Sequence, residues 1–402
     1  MSKRLFTRFA AAAGLAAMLI AIPVPAQQAI RIGVMEDMSG VYSDLAGKGS
    51  VVGAQFAIDD FGGKVLGRPI ELLFADHQNK ADIASSKARE WYGKDGVGLV
   101  VGLSNSAAAL AVRNLSRGLG KIDIVSSAGS SDITGKQCSP TGFHWAFDTY
   151  ALGKTVSSAT VKSGGDTWYF ITADYAFGHA AQRDATKFIE AAGGKVLGSV
   201  KTPVNIPDVA SFLLQAQASK AKIVGLAMAG GDLVTTIKGA GEFGLVDRGQ
   251  KMAGLVIFIT DVYSLGPKTT QGLLLASPFY WDLNDETRAW STRFFKTMGK
   301  MPSMTQAGTY SAVLHYLKAV QAAGTDEPKA VAAAMRSLPV NDFWNKNVKV
   351  RADGRVLHDM HLFQVKSPAE SKGPWDLYKL ITTTPGDQAF RPINEGGCPF
   401  IK

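Results

Sequence analysis

The sequence predicts two doubly wound α/β lobes, each a mostly parallel sheet wrapped by helices. Three observations carry this. Short apolar runs rich in β-branched residues alternate with helical patterns through the first 150 residues. The alternation then begins afresh and repeats to about residue 260. The length of 402 residues exceeds one ordinary core and suits two domains.

The stretch Gly96 to Thr134 organises the first lobe. It reads as strands Val97 to Val101 and Ile122 to Val125, joined by a helix over Ala107 to Leu119. Each strand runs into small hydroxyl residues: Ser104, Asn105 and Ser106 after the first, Ser126, Ser127, Ser130 and Ser131 after the second. In an open parallel sheet, ligands sit beyond the carboxyl ends of the strands, so two serine-rich loops there suit a small anion. Ser106 is expected to cap the helix that begins at Ala107.

The first 26 residues stand apart. Lys3, Arg4 and Arg8 precede the apolar run Phe9 to Ile22 and the small-residue site Val24-Pro25-Ala26, which reads as a secretory signal peptide. No later stretch is long and apolar enough to span a bilayer, and no cysteine flanks the cleavage site for acylation. The expectation is a freely diffusing exported protein in a bacterial periplasm, with no membrane insertion. Losing three basic residues takes the formal charge from +9 to +6, spread without a dense basic block, so nucleic acid is not an expected partner. Cys138 and Cys398 are the only cysteines, and in an oxidising compartment they are expected to pair. His358 and His361 have no cysteine near them, so no metal site is expected.

In order, the mature chain opens on strand Ile30 to Met35, a long loop with Tyr42 and Asp44, and a helix from Ser50 to Phe61. Gly47, Gly49 and Gly53 lie too far from the strand to be a dinucleotide fingerprint, so no nucleotide cofactor is expected. Strand Ile70 to Ala75 and helix Ile83 to Tyr92 lead into the organising unit. Beyond Asp148 the expected elements are helix Tyr150 to Lys162, strand Thr167 to Thr172, helix His179 to Ala192, strand Lys195 to Val200 and helix Val209 to Ala218. Strand Ile223 to Ala227, helix Leu233 to Phe243 and strand Gly254 to Ile259 follow. The loops at these strand ends hold Asp174, Tyr175, Phe177, Gly230, Asp232 and Asp261, where a ligand would be met. A strand in GLLLASPFYWDLND leaves this lobe, and helices Glu286 to Thr297, Thr305 to Ala323 and Pro328 to Ser337 could cover the first sheet. A hairpin over Asn347 to Val365 and a strand Trp375 to Ile381 complete the chain. Repeated crossing between lobes makes a multi-stranded hinge.

The pieces IRIGVMEDMSG, GGKVLGRPIELLFADHQN, VVGLSNS, IVSSAGSSD, ADYAFG, GEFGL and QAGTYSAV, in this order and spacing, resemble the type I periplasmic solute-binding proteins of the branched-chain amino acid ABC transporter family, over essentially the whole mature chain. The resemblance implies the type I periplasmic-binding-protein fold, two Rossmann-like lobes on a three-segment hinge. The expected division is residues 27–148 plus 279–346 in the N-terminal lobe, with the tail 385–402 tied back by the disulfide, and residues 149–278 plus 347–384 in the C-terminal lobe. It further implies a monomer that closes on a small carboxylate-bearing solute and hands it to permease subunits.

By the same resemblance, Ser106, Ala128 and Ser130 hold the ligand's carboxylate and ammonium, and Asp261 pairs with the ammonium. Phe177 falls on the family's cleft tyrosine and Gly230 on a loop where the family carries another. The candidate ligand-binding set is Tyr42, Ser104, Asn105, Ser106, Ala128, Gly129, Ser130, Tyr175, Phe177, Gly230 and Asp261. An aliphatic amino acid is the expected ligand, with an aromatic carboxylate such as a benzoate derivative as the alternative, since Tyr42, Tyr175 and Phe177 suit a ring. A soluble sensor of the same fold is a further alternative. No GxSxG, HExxH, GxxxxGK[ST] or zinc spacing occurs, so the expectation is not an enzyme.

Overall fold

The apolar runs of the first half pair as a six-stranded sheet in a computed structural model that describes residues 28–246 and 249–401. The signal-peptide segment lies outside the described residues. The elements are β1 (Ile30–Glu36), α1 (Gly47–Phe61), β2 (Lys64–Val65), β3 (Arg68–Asp76), α2 (Ala81–Gly93), β4 (Val97–Gly102), α3 (Ser106–Leu119), β5 (Ile122–Val125) and β6 (Gly142–His144). Their order is β2-β3-β1-β4-β5-β6, parallel except for the short β2. The chain leaves β1 for β3 on one side and returns to β4 on the other. The carboxyl ends of β1 and β4 therefore flank a topological switch point, where a crevice opens.

The second lobe repeats the plan. It comprises α4 (Thr149–Lys162), β7 (Thr167–Ala173), α5 (Ala176–Ala191), β8 (Lys195–Thr202), α6 (Ala210–Ala218), β9 (Ile223–Ala227), α7 (Gly231–Glu242) and β10 (Lys251–Gly254). Its parallel sheet runs β10-β9-β7-β8, so its own switch point lies between β7 and β9. The sequence reading placed a strand over Gly254 to Ile259, and this is corrected. Pairing with β9 ends at Gly254, with Leu255 N–H still bonded to Leu226 O at 3.1 Å. Residues 255–258 then leave the sheet before the short helix α8 (Ile259–Leu265). Leu255, Val256, Ile257 and Phe258 are all buried, Ile257 in the core of the second lobe, a burial that periodicity does not separate from that of a strand.

After α9 (Pro267–Thr270), β11 (Leu274–Ser277) begins a third, antiparallel sheet with β12 (Met360–Val365) and β13 (Tyr378–Thr384), in the order β11-β12-β13. Between β11 and β12 come α10 (Asp285–Met298), α11 (Met304–Ala323) and α12 (Pro328–Ser337). Helix α11 packs on α1 and β4 and carries α12 on its other side. The turn at residues 352–355 closes a bridge between Val350 and Val356. Gly354 takes φ +85° there, and a Cβ would stand 2.2 Å from Gly142 O, so only glycine lets the turn lie on β6.

Arg355 knits two of the crossing segments. It is wholly buried, and its guanidinium donates to Phe147 O at 2.9 Å and to Trp145 O, with Asp148 at 3.8 Å. Trp344 Nε1–H donates to Pro278 O at 2.9 Å and brings in the third. Cys138 and Cys398 form a disulfide across 260 positions of sequence.

Candidate ligand site

Both switch points open on one cavity. The first lobe lines it with Tyr42, Leu45, Ser104, Ser106, Ser127 and Gly129. Phe147 comes from the crossing segment, and Tyr175, Phe177, Ala229, Val256 and Phe258 come from the second lobe.

The lobes meet over this space. Tyr42 Oη lies 2.6 Å from Tyr175 Oη, and Gly231 N–H donates to Val41 O at 3.0 Å. Burial holds both phenols protonated, pushing each pKa up, so one donates to the other and the second keeps a free proton. Phe147 and Phe258 meet edge-to-face at 6.0 Å, and Tyr175 and Phe177 lie 6.0 Å apart, giving the floor and one wall an aromatic surface.

The hydroxyl inventory fixes the polarity of the site. Ser104 Oγ accepts from Asp37 N–H at 2.9 Å and Ser106 Oγ from Ser130 N–H at 3.2 Å, so each retains its own proton to donate. His77 Nε2, at 3.4 Å, and the Glu36 carboxylate compete for that of Ser104. Ser127 differs, because its hydroxyl donates to Glu36 at 2.6 Å. Among the described residues no Lys, Arg, Asp or Glu lines the cavity. The donors that remain, together with the N-terminal end of α3, match an acceptor oxygen of a small anion.

The helix cap expected at Ser106 belongs to Asn105. Its carboxamide oxygen accepts from Ala107 N–H at 2.8 Å and Ala108 N–H at 3.1 Å. The longer Asn side chain reaches both amides, which releases Ser106 to face the cavity.

Of the residues singled out in the sequence, Tyr42, Ser104, Ser106, Gly129, Tyr175 and Phe177 line the cavity together. Ala128, Ser130, Gly230, Asn105 and Asp261 do not. Ala128 O accepts from His144 Nε2 at 2.8 Å. Ser130 Oγ accepts from Asp132 N–H at 3.4 Å and begins a 3₁₀ turn. Gly230, at φ +62°, lets the backbone approach Val41. Asp261 is turned back on its own helix and accepts from Phe258 N–H at 2.9 Å. Burial, partly offset by that bond, raises its pKa to about 7.

Leu45, Ser127, Phe147, Ala229, Val256 and Phe258 were not singled out as ligand residues. Only Ser127 carried a signal, as a member of the second serine burst; the others look like core.

The profile of the family described as "Periplasmic binding protein" matches residues 29–374. A periplasmic binding protein from Burkholderia mallei shares 49% identity, covering 93% of this chain and 99% of its own, with a TM-score of 0.91. A branched-chain amino acid ABC transporter periplasmic ligand-binding protein from Burkholderia xenovorans LB400 shares 40% identity, covering 92% and 99%, with a TM-score of 0.80. An ABC transporter solute binding protein from R. palustris, solved in complex with benzoate, shares the fold at 21% identity, covering 93% and 100%, with a TM-score of 0.81.

Proposed function

The chain belongs to the family of periplasmic binding proteins, and from that premise we propose that it is the receptor of an ABC importer for a small monocarboxylate with an aromatic or branched apolar body. The carboxylate lies against Ser104, Ser106 and the start of α3, and the body packs among Leu45, Phe147, Phe177, Val256 and Phe258. The observation that carries this reading is the imbalance of the lining. The Ser106 hydroxyl proton is left for a ligand, and no acid faces the cavity among the described residues. An ammonium enclosed there would lack a counter-ion, at a cost of several kcal/mol. The benzoate complex of the R. palustris relative lends the aromatic form a precedent in this fold.

Closure over such a ligand follows from the lining. Residues of both lobes meet it, so it favours the closed state by its differential affinity, and Tyr42 and Tyr175 seal the edge. The bound solute is then presented to permease subunits.

An aliphatic amino acid is the second reading, favoured by the name of the Burkholderia xenovorans relative and by Asp261, three residues beyond the lining Phe258. One experiment separates the two. Wild type is screened by thermal shift against benzoates and amino acids, and the hits are titrated into Asp261→Asn. The proposal expects carboxylates without an ammonium to bind and to keep their affinity within about threefold in the variant. Amino acids that bind wild type and are lost from Asp261→Asn would overturn it.

A further inference from the structure

Behind the serines stands Glu36, the last residue of β1, with no exposed surface. Its carboxylate accepts from Ser104 N–H at 2.8 Å and from the Ser127 hydroxyl at 2.6 Å, and both of those residues line the cavity. No ion pair to it occurs among the described residues, and its surroundings bring no positive charge. Just past β1, the Asp37 carboxylate is turned to Gly40 N–H, Tyr42 N–H and Asn79. At the end of β3, Asp76 holds Met38 N–H and Ser39, while burial keeps His77 neutral, with its pKa lowered to about 4. Ser50 comes from α1. From β4, Gly102 lies so close that a Cβ would stand 2.7 Å from the carboxylate. From the β5 end, Ser126 is bonded to Thr309 of α11 at 2.8 Å. A carboxylate held like this, dry and without a cation, is costly in its charged form.

We propose that Glu36 sets the polarity of the anion cradle through Ser127, and that capture of a carboxylate is coupled to uptake of one proton by Glu36. The proposal rests on the reading of the site as a carboxylate cradle. Ionised Glu36 can only accept, so Ser127 spends its proton on it and turns lone pairs toward the cavity. Those lone pairs, and the charge behind them, repel an incoming anion. When a proton from solvent binds Glu36, the new O–H donates to Ser127 Oγ, and the Ser127 proton turns to the ligand. The Ser104 N–H contact persists in both forms. Glu36 touches no ligand and is a positioning residue. Burial, opposed by the bonds from Ser127, Ser50 and Ser104, raises its pKa to about 7, so the exchange falls in the accessible pH range.

The test uses the mature protein and whichever of benzoate, 4-hydroxybenzoate and L-leucine binds tightest, titrated calorimetrically from pH 6 to pH 8 in buffers of differing ionisation enthalpy. The ligand carboxylate stays ionised throughout. With a free-state titration near pH 7, affinity should fall about tenfold from pH 6 to pH 8, with proton uptake approaching one at pH 8. In Glu36→Gln the amide oxygen accepts from Ser104 N–H and the amide N–H donates to Ser127, imitating the protonated acid. This variant should bind about tenfold tighter than wild type at pH 8 and lose the slope. A wild-type affinity independent of pH, without proton uptake, would overturn the inference and leave the cradle standing. A slope that survives in Glu36→Gln would also overturn it and point to Asp261, the other buried acid whose pKa is raised to about 7. If none of the three probes binds, the cradle reading falls and the inference with it.

Discussion

Replacing Ser106 by Ala removes one oxygen that serves two partners, and the structure separates their costs. Ser106 Oγ accepts from Ser130 N–H at 3.2 Å, and its own proton is left for the ligand. A hydrogen bond to a charged oxygen contributes about 1.5–3 kcal/mol, so the variant should bind about tenfold to about 150-fold more weakly. The Ser130 amide loses its acceptor in free and bound protein alike. This costs about 1–3 kcal/mol of stability and a few degrees of melting temperature without adding to the loss of affinity. Ser130→Ala is the contrast. Its hydroxyl accepts from Asp132 N–H and does not line the cavity, so affinity should stay within about threefold while stability falls by about 1 kcal/mol or less. Calorimetric titration gives the affinities, and melting of ligand-free protein gives the stabilities. Ser106→Ala at wild-type affinity, or a larger affinity loss in Ser130→Ala than in Ser106→Ala, would refute the reasoning.

Tyr175→Phe deletes the 2.6 Å contact with Tyr42 across the cleft. At about 1 kcal/mol the closed state should lose about fivefold in weight, read by small-angle scattering as a larger radius at subsaturating ligand. An unchanged radius would show that the tyrosine pair is no latch. Alkylation of unreduced protein should find no free thiol on Cys138 or Cys398, and Cys138→Ser should lower stability by up to about 5 kcal/mol on the chain-entropy account of so long a loop. Equal melting of variant and wild type would set that account aside.

The lobes were legible because parallel strands covered on both faces must be apolar runs, and the turns between them need glycine and polar caps. Ile122–Val125, Ile223–Ala227 and Pro328–Ser337 fall where the pattern puts them. The strand β6 has three residues, too few for any period to register. The cap misassigned to Ser106 turns on a one-residue choice between neighbours that both cap well. Half of the cavity was legible, since hydroxyls and tyrosines at strand ends stand out against apolar strands. Phe147, Val256 and Phe258 did not stand out, because an aromatic that meets a ligand and one that meets the core are the same letter in the same kind of run. Asp261 and Ala128 were aligned by family role, and in the structure Asp261 accepts from Phe258 N–H and Ala128 O from His144 Nε2, bonds that no local pattern states. Glu36 was written in the sequence as an acid closing an apolar strand. Its importance depends on β4 and β5 being the neighbours of β1, which no local pattern states.

The bond between Cys138 and Cys398 encircles the whole second lobe and the helices that return to the first. A protease that nicks the chain once at any loop between these positions therefore cannot release a fragment. Both pieces stay covalently joined and keep the packing of α11 on α1 within one particle. Such nicked protein migrates as a single band on a non-reducing gel and as two after reduction, so integrity judged without reductant overstates the share of uncut chains.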